Sequence, residues 1–131
     1  MGRPALTPGD PDVTIAAVRG SVQARYAEQQ GWKTHLVQSH LDLPGLLASG
    51  EANAMLVPTT TSVLLLQNET VAKLGLKFVI ISDPSVAGDV AIAISPRRAD
   101  LRPRIDAAID RIKADGRFDR INSKYLPFRL Q

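Results

Sequence analysis

The chain has 131 residues, 44% of them apolar, which suits one folded domain's worth of core and excludes an intrinsically disordered chain. It has no cysteine, so disulfides, thiolate catalysis and thiolate-bound metal are excluded, while the compartment stays open. The net charge of +3 is uneven: residues 1–96 carry six Lys/Arg against eight Asp/Glu, and residues 97–131 carry ten against five.

A basic C-terminal third raises the question of nucleic acid. Its acids and bases alternate, however, as in "DAAIDRIKADGRFDR", which reads as a solvated helix face, so no nucleic-acid partner is expected. No run of 18 apolar residues occurs, so no membrane span is expected. The opening "MGRPALTPGDPD" has Pro and Gly where a signal peptide needs an apolar stretch. Residues 1–12 read as a flexible leader, and the chain as written would stay in the cytoplasm.

In chain order, "VTIAAV" (13–18) suits a buried strand, and Ser21 caps a helix running to about Gln30 that Gly31 ends. "KTHLV" (33–37) is a second strand. Asp42 is expected to cap a short helix carrying Leu43, Leu46 and Leu47, with Pro44 in its first turn and Gly50 at its close. "NAMLV" (53–57) is a third strand, and "PTTTS" opens a helix ending near Gly75. "KFVII" (77–81) and the alternating "DVAIAIS" (89–95) read as two more strands. The clearest helix carries Leu101, Ile105, Ala108, Ile109 and Ile112 on one stripe, with Asp100 as its expected N-cap and Gly116 as its stop. A shorter helix follows with Phe118, Ile121 and Tyr125 on one face.

Strands alternating with helices give an α/β fold, a Rossmann-like parallel sheet flanked by helices. Ligands bind such sheets where loops leave the carboxyl ends of the strands. Two such loops stand out. In Arg19–Gly20–Ser21–Val22, glycine allows close backbone approach, and the helix start presents N–H groups to a carboxylate or phosphate. Arg19 adds a fork of donors. In Pro58–Thr59–Thr60 and the following Thr61 and Ser62, four hydroxyls collect; one is expected to cap the helix and the others are free to donate. The alternative at both loops is a plain tight turn with a cap and solvated hydroxyls. His35 and His40 lack metal-ligand spacing and a carboxylate partner, so they read as solvent-exposed, and Trp32 as packing. No metal, cofactor or acid–base pair is readable.

Three stretches carry a resemblance. "VTIAAVRGSVQARYAEQ", "LPGLLASGEANAMLVPTTTSVLLLQN" and "AGDVAIAISPRRADLRPRIDAAIDRIKADGRFDRINSKYLP" together resemble the second lobe and C-terminal signature of the family 3 extracellular solute-binding proteins, the polar amino-acid receptors of ABC importers. The resemblance implies one lobe of a type II periplasmic-binding-protein fold, with residues 13–87 as lobe two. It implies that residues 88–131 cross back as a strand and C-terminal helices that pack on lobe one, whose N-terminal part is not in this sequence. It implies periplasmic function, a small polar solute such as an amino acid or carboxylate, and an ABC permease as partner for the full receptor. The ligand would lie at Arg19, Gly20, Ser21, Val22, Pro58, Thr59 and Thr60. Asn53 stands where the family commonly has aspartate. Pro58 stands near the family's ammonium-binding aspartate and offers neither charge nor N–H, which favours an anionic or neutral ligand. With lobe one missing, the stripe on 100–114 is expected to be bare and to drive a homodimer through the C-terminal helices. Some proteins on this fold are cyclohexadienyl or arogenate dehydratases and others are sensory domains. The chain is expected not to be an enzyme; a dehydratase-like fragment, a sensory domain or a nonfunctional receptor remnant are the alternatives.

Overall fold

A computed structural model describes residues 7–130. The chain divides into two compact units, one ending at Gly88 and the other starting at Asp89. No helix among the described residues is long and apolar enough to cross a membrane.

The first unit is α/β, a three-stranded parallel sheet flanked by helices, as the alternation of elements predicts. Its elements are β1 (Ile15–Val18), α1 (Val22–Gln29), β2 (Thr34–Val37), α2 (Leu43–Ser49), β3 (Ala54–Met55), α3 (Thr59–Leu66) and α4 (Glu69–Ala72). The strand order is β2-β1-β3. Ile15 pairs with Thr34 on one side and Ala54 on the other, and Ala16 pairs with His35 and Met55. The central strand is the apolar run Ile-Ala-Ala-Val, as a parallel strand covered on both faces requires. Ala16, Val37, Leu43, Ala52 and Leu65 form the core, with Val18, Leu46, Met55 and Val57 packed against it. Tyr26 of α1 meets Trp32 edge-to-face, ring centroids 5.5 Å apart, so Trp32 packs as expected.

Of the expected leader, residues 1–6 lie outside the described residues. Thr7 to Val13 are hydrogen-bonded turns: the Thr7 N–H donates to the Asp10 carboxylate at 2.9 Å, and the Val13 N–H to the Asp10 carbonyl at 3.0 Å. The Thr7 N–H, and then the Thr7 hydroxyl, hold the Asp10 carboxyl below its ordinary pKa.

Asn53 fastens the sheet at its amino edge. Its side-chain oxygen accepts from the Thr14 N–H at 2.8 Å, and its Nδ2 donates to the Asp12 carbonyl at 2.7 Å. An aspartate makes only the first of these bonds. Asn53→Asp is therefore expected to lower stability at neutral pH by about 1 kcal/mol, because a charged acceptor then faces the Asp12 carbonyl. Urea unfolding checks this; an unchanged midpoint would mean that the amide is interchangeable with the acid.

Two caps differ from expectation. Asp42 makes no side-chain bond to α2. It closes a capping box one turn earlier, where its carboxylate accepts from the Ser39 N–H and the Ser39 hydroxyl accepts from the Leu41 N–H, both at 3.2 Å. The helix expected to run to Gly75 breaks at Gln67–Asn68, where the Asn68 side chain accepts from the Thr70 and Val71 N–H groups and starts α4.

The larger difference is that 77–81 and 89–95 are not strands. Among the described residues the sheet ends at β3, which is only two residues long. A strand exists through its ladder, and apolar alternation without a partner leaves exposed chain, as Phe78, Val79 and Ile80 show.

The second unit holds α5 (Arg102–Ala114) and α6 (Arg117–Tyr125), with Gly116 at the corner in the left-handed region. Asp100 does not cap α5; it pairs with Arg98 at 3.2 Å, and the Ser95 hydroxyl instead accepts from the Arg97 N–H to open a 3-10 turn over Pro96–Leu101. The Arg117 side chain and N–H both bond Asp115 and hold its carboxyl below the ordinary range. Buried Asn122 clamps the tail, donating to the Phe128 carbonyl at 2.6 Å and accepting from the Leu130 N–H at 3.0 Å. The α5 stripe is half-buried rather than bare.

Candidate functional site

The candidate residues collect at one edge of the first unit's sheet. The chain leaves β1 at Val18, and the Arg19 N–H donates to the Val37 carbonyl at 2.8 Å, fixing the start of the turn against the end of β2. Gly20 follows with φ of +79°, a conformation that side chains with a Cβ resist. Arg19 and Gly20 are both exposed. Ser21 then caps α1, its hydroxyl accepting from the Ala24 N–H at 3.0 Å. Val22 and Gln23 precede the first N–H that can reach an acceptor within the helix, so their N–H groups are available at the helix start.

The neighbouring strand β3 ends at Met55, and its chain runs through Val57 and Pro58 into α3. Pro58 occupies the N-cap position with no side-chain bond to the helix. None of the four hydroxyls caps, contrary to the expectation for this loop. The Ser62 hydroxyl turns inward and donates to the Thr59 carbonyl at 2.6 Å. Thr59 is exposed, and Pro58, Thr60 and Thr61 are half-buried. The N–H groups of the first turn of α3 are therefore uncapped by side chains, and helix starts of this kind carry partial positive charge.

Both turns follow the carboxyl ends of hydrogen-bonded parallel neighbours, strands that lie about 4.8 Å apart. The fold thus brings together Arg19, Gly20, Ser21 and Val22 with Pro58, Thr59 and Thr60 at one edge. It also brings a third loop that the sequence reading passed over, the capping box Ser39–Asp42 after β2. The Ser-x-x-Asp spacing was the available signal for it. That loop carries His40, half-buried, and Leu41, one of the most exposed leucines in the chain. His35 lies in β2 opposite Ala16 and is also half-buried, so neither histidine stands free in solvent as expected.

The chemistry of the first two turns is that of donors, two helix starts, one guanidinium and a group of hydroxyls, while the third loop adds His40 and the Asp42 carboxylate, which accepts from the Ser39 N–H. The turns 19–22 and 58–62 contain no carboxylate and no histidine. Among the described residues no three His, Asp or Glu side chains cluster closely enough to hold a metal ion. Donors arranged in this way can fix an anionic or hydroxylated group by hydrogen bonds. Asp83, on the connection after α4, is held below its ordinary pKa by the Ser85 hydroxyl and N–H, an internal turn rather than a ligand contact. Compared with protein-family models and with curated protein sequences, the chain matches none, and its function is read from the geometry of this edge.

Proposed function

We propose that the chain is a solute-binding module of an ABC-type uptake system, supplying one wall of a site for a small polar solute. The observation that carries this reading is that α1 and α3 both start from adjacent parallel strands at the same sheet edge. The anionic group of the ligand sits on the Gly20–Ser21–Val22 turn, with Arg19 closing on it and Thr59 and Thr60 donating from the second turn. Carboxylates are favoured over α-amino acids, because Pro58 offers nothing to an ammonium group. The module binds and does not catalyse. It works outside the cytoplasmic membrane and passes its solute to a permease, and a facing surface from another chain completes the cleft, since one wall leaves much of a ligand in water.

A thermal melt against carboxylates, amino acids and amines tests this. A ligand that binds only the native state raises stability by about 2.7 kcal/mol at a hundred times its dissociation constant. The expected result is a shift by carboxylates that falls in Arg19→Gln, by about 1.5–3 kcal/mol of binding for a charge-assisted bond. A cooperative melt that no ligand class moves, or a carboxylate shift indifferent to Arg19→Gln, overturns the proposal; a broad, ligand-blind transition favours a nonfunctional remnant.

A further inference from the structure

The segment 89–95 reads Asp-Val-Ala-Ile-Ala-Ile-Ser and belongs to no ladder among the described residues. Val90 is 92% exposed and Ile92 61% exposed. Ser95 is already engaged, its carbonyl accepting from the Arg98 N–H at 2.9 Å, and Ile94 is half-buried, but the alternating residues before Ser95 have no backbone partner among the described residues and are a template for pairing with another chain. The question is which chain, and the segment's own pattern answers it.

Read antiparallel against itself about a two-fold axis at Ile92, the segment is self-complementary. Val90 faces Ile94 of the second copy, Ile92 faces Ile92, Ala91 faces Ala93, and Asp89 faces Ser95. One face of the new ribbon is then all branched apolar and the other all small. Such cross-strand apolar pairs stabilise a sheet, whereas like charges directly opposite destabilise it. Parallel in-register pairing puts Asp89 against Asp89, so charge selects the antiparallel arrangement. Each end also matches in sign: Asp89 of one copy meets the end of the other where Ser95 leads into Arg97, the neighbouring Arg98 being paired with Asp100. Pro96 has no N–H and opens a 3-10 turn, which stops the ladder where the complementarity ends. The other exposed apolar segment, 77–81, lacks these features: read against itself it sets Lys77 opposite Ile81 and offers no opposite charge.

We propose that the chain forms a two-fold homodimer through antiparallel pairing of residues 89–95, with Ile92 on the axis. Two copies of one patch facing each other is the arrangement of a closed, isologous dimer. This interface is independent of the solute-binding edge and stands whether or not that edge binds a ligand.

The absence of cysteine makes the test direct. Ile92→Cys places a thiol opposite its own symmetry mate, within disulfide reach, whereas Ala91→Cys places it opposite Ala93 of the second copy and a ladder step from its mate. The expected result is that the unmodified chain sediments as a dimer, that Ile92→Cys oxidises readily to a covalent dimer, and that Ala91→Cys does so many times more slowly. Ile92→Lys, which sets two like charges face to face, is expected to sediment as a monomer that keeps its helical far-UV signal and its cooperative unfolding. A monomeric unmodified chain, or equal cross-linking at positions 91 and 92, overturns the proposal. So does a dimer that survives Ile92→Lys but is lost in Ile105→Lys, which would place the contact on the stripe of α5. If Ile92→Lys fails to fold, the cysteine pair alone decides.

Discussion

Replacing Leu43 by alanine is expected to lower the unfolding free energy by about 2–5 kcal/mol. Leu43 has no exposed surface and is the largest of the fully buried side chains. It opens α2 and reaches into the cluster of Ala16, Val37, Ala52 and Leu65. Two of those four neighbours are alanines, with no rotatable side chain to swing into the space a leucine leaves. The cavity therefore stays open, and its cost adds to the lost transfer of the leucine from water. Folded domains are stable by only about 5–15 kcal/mol in total, so a loss of this size is a large share of the whole. The matched control is Leu41→Ala, two residues earlier and 88% exposed, which is expected to change stability by no more than about 0.5 kcal/mol. Urea unfolding followed by far-UV circular dichroism measures both. Equal midpoints for the two variants would mean that α2 does not seat Leu43 in the core.

Leu43 also illustrates what the sequence made legible. The leucines of 43–47, the proline in the first turn and the closing glycine are local signals, and each acts within the helix that carries it. The same holds for Ser21, whose hydroxyl caps α1 as its position before Val22 predicts. Gly31, Gly50 and Gly116 end helices where expected, and all have positive φ. The α/β class and the place of the two candidate turns follow from this local chemistry, because the order of elements is enough to put both turns at strand ends.

What was not legible depends on partners elsewhere in the chain. Residues 77–81 and 89–95 have the side chains of strands, but alternation does not provide the neighbour that a ladder needs. Caps fail for a related reason. Asp42 and Asp100 are both acceptable caps by type, yet each has a competing partner two or three residues upstream, the Ser39 N–H in one case and the Arg98 side chain in the other. The threonines of 59–61 lost the capping position to Pro58, whose fixed φ sets the helix entry one residue earlier. At the candidate site the third loop was missed because its hydrogen bonds are internal to a 3-10 turn, with no apolar periodicity to announce it.

The glycine of the first turn separates the ligand-binding reading from the plain-turn reading. Gly20 and Gly31 have nearly the same backbone, φ of +79° and +71°, and a Cβ added at either would meet nothing within 4 Å. The alanine variants are therefore expected to lose similar stability, about 1 kcal/mol each, from left-handed strain alone. Their positions differ in the respect that matters. Gly31 ends α1 and leads back to the amino end of β2, whereas Gly20 stands at the carboxyl end of β1 beside the N–H groups of Val22 and Gln23. In the proposed site, a methyl group at position 20 takes the space through which an anion would reach those donors. With a carboxylate at a hundred times its dissociation constant, Gly31→Ala is expected to keep the full stabilisation of about 2.7 kcal/mol, and Gly20→Ala to lose most of it. Thermal melts of the two variants with and without ligand measure the difference. If both keep the shift, the glycine serves only the turn, and the anion is held elsewhere on the edge. If both lose it, the effect runs through the stability of α1, which the two glycines bracket, and not through access to its first turn.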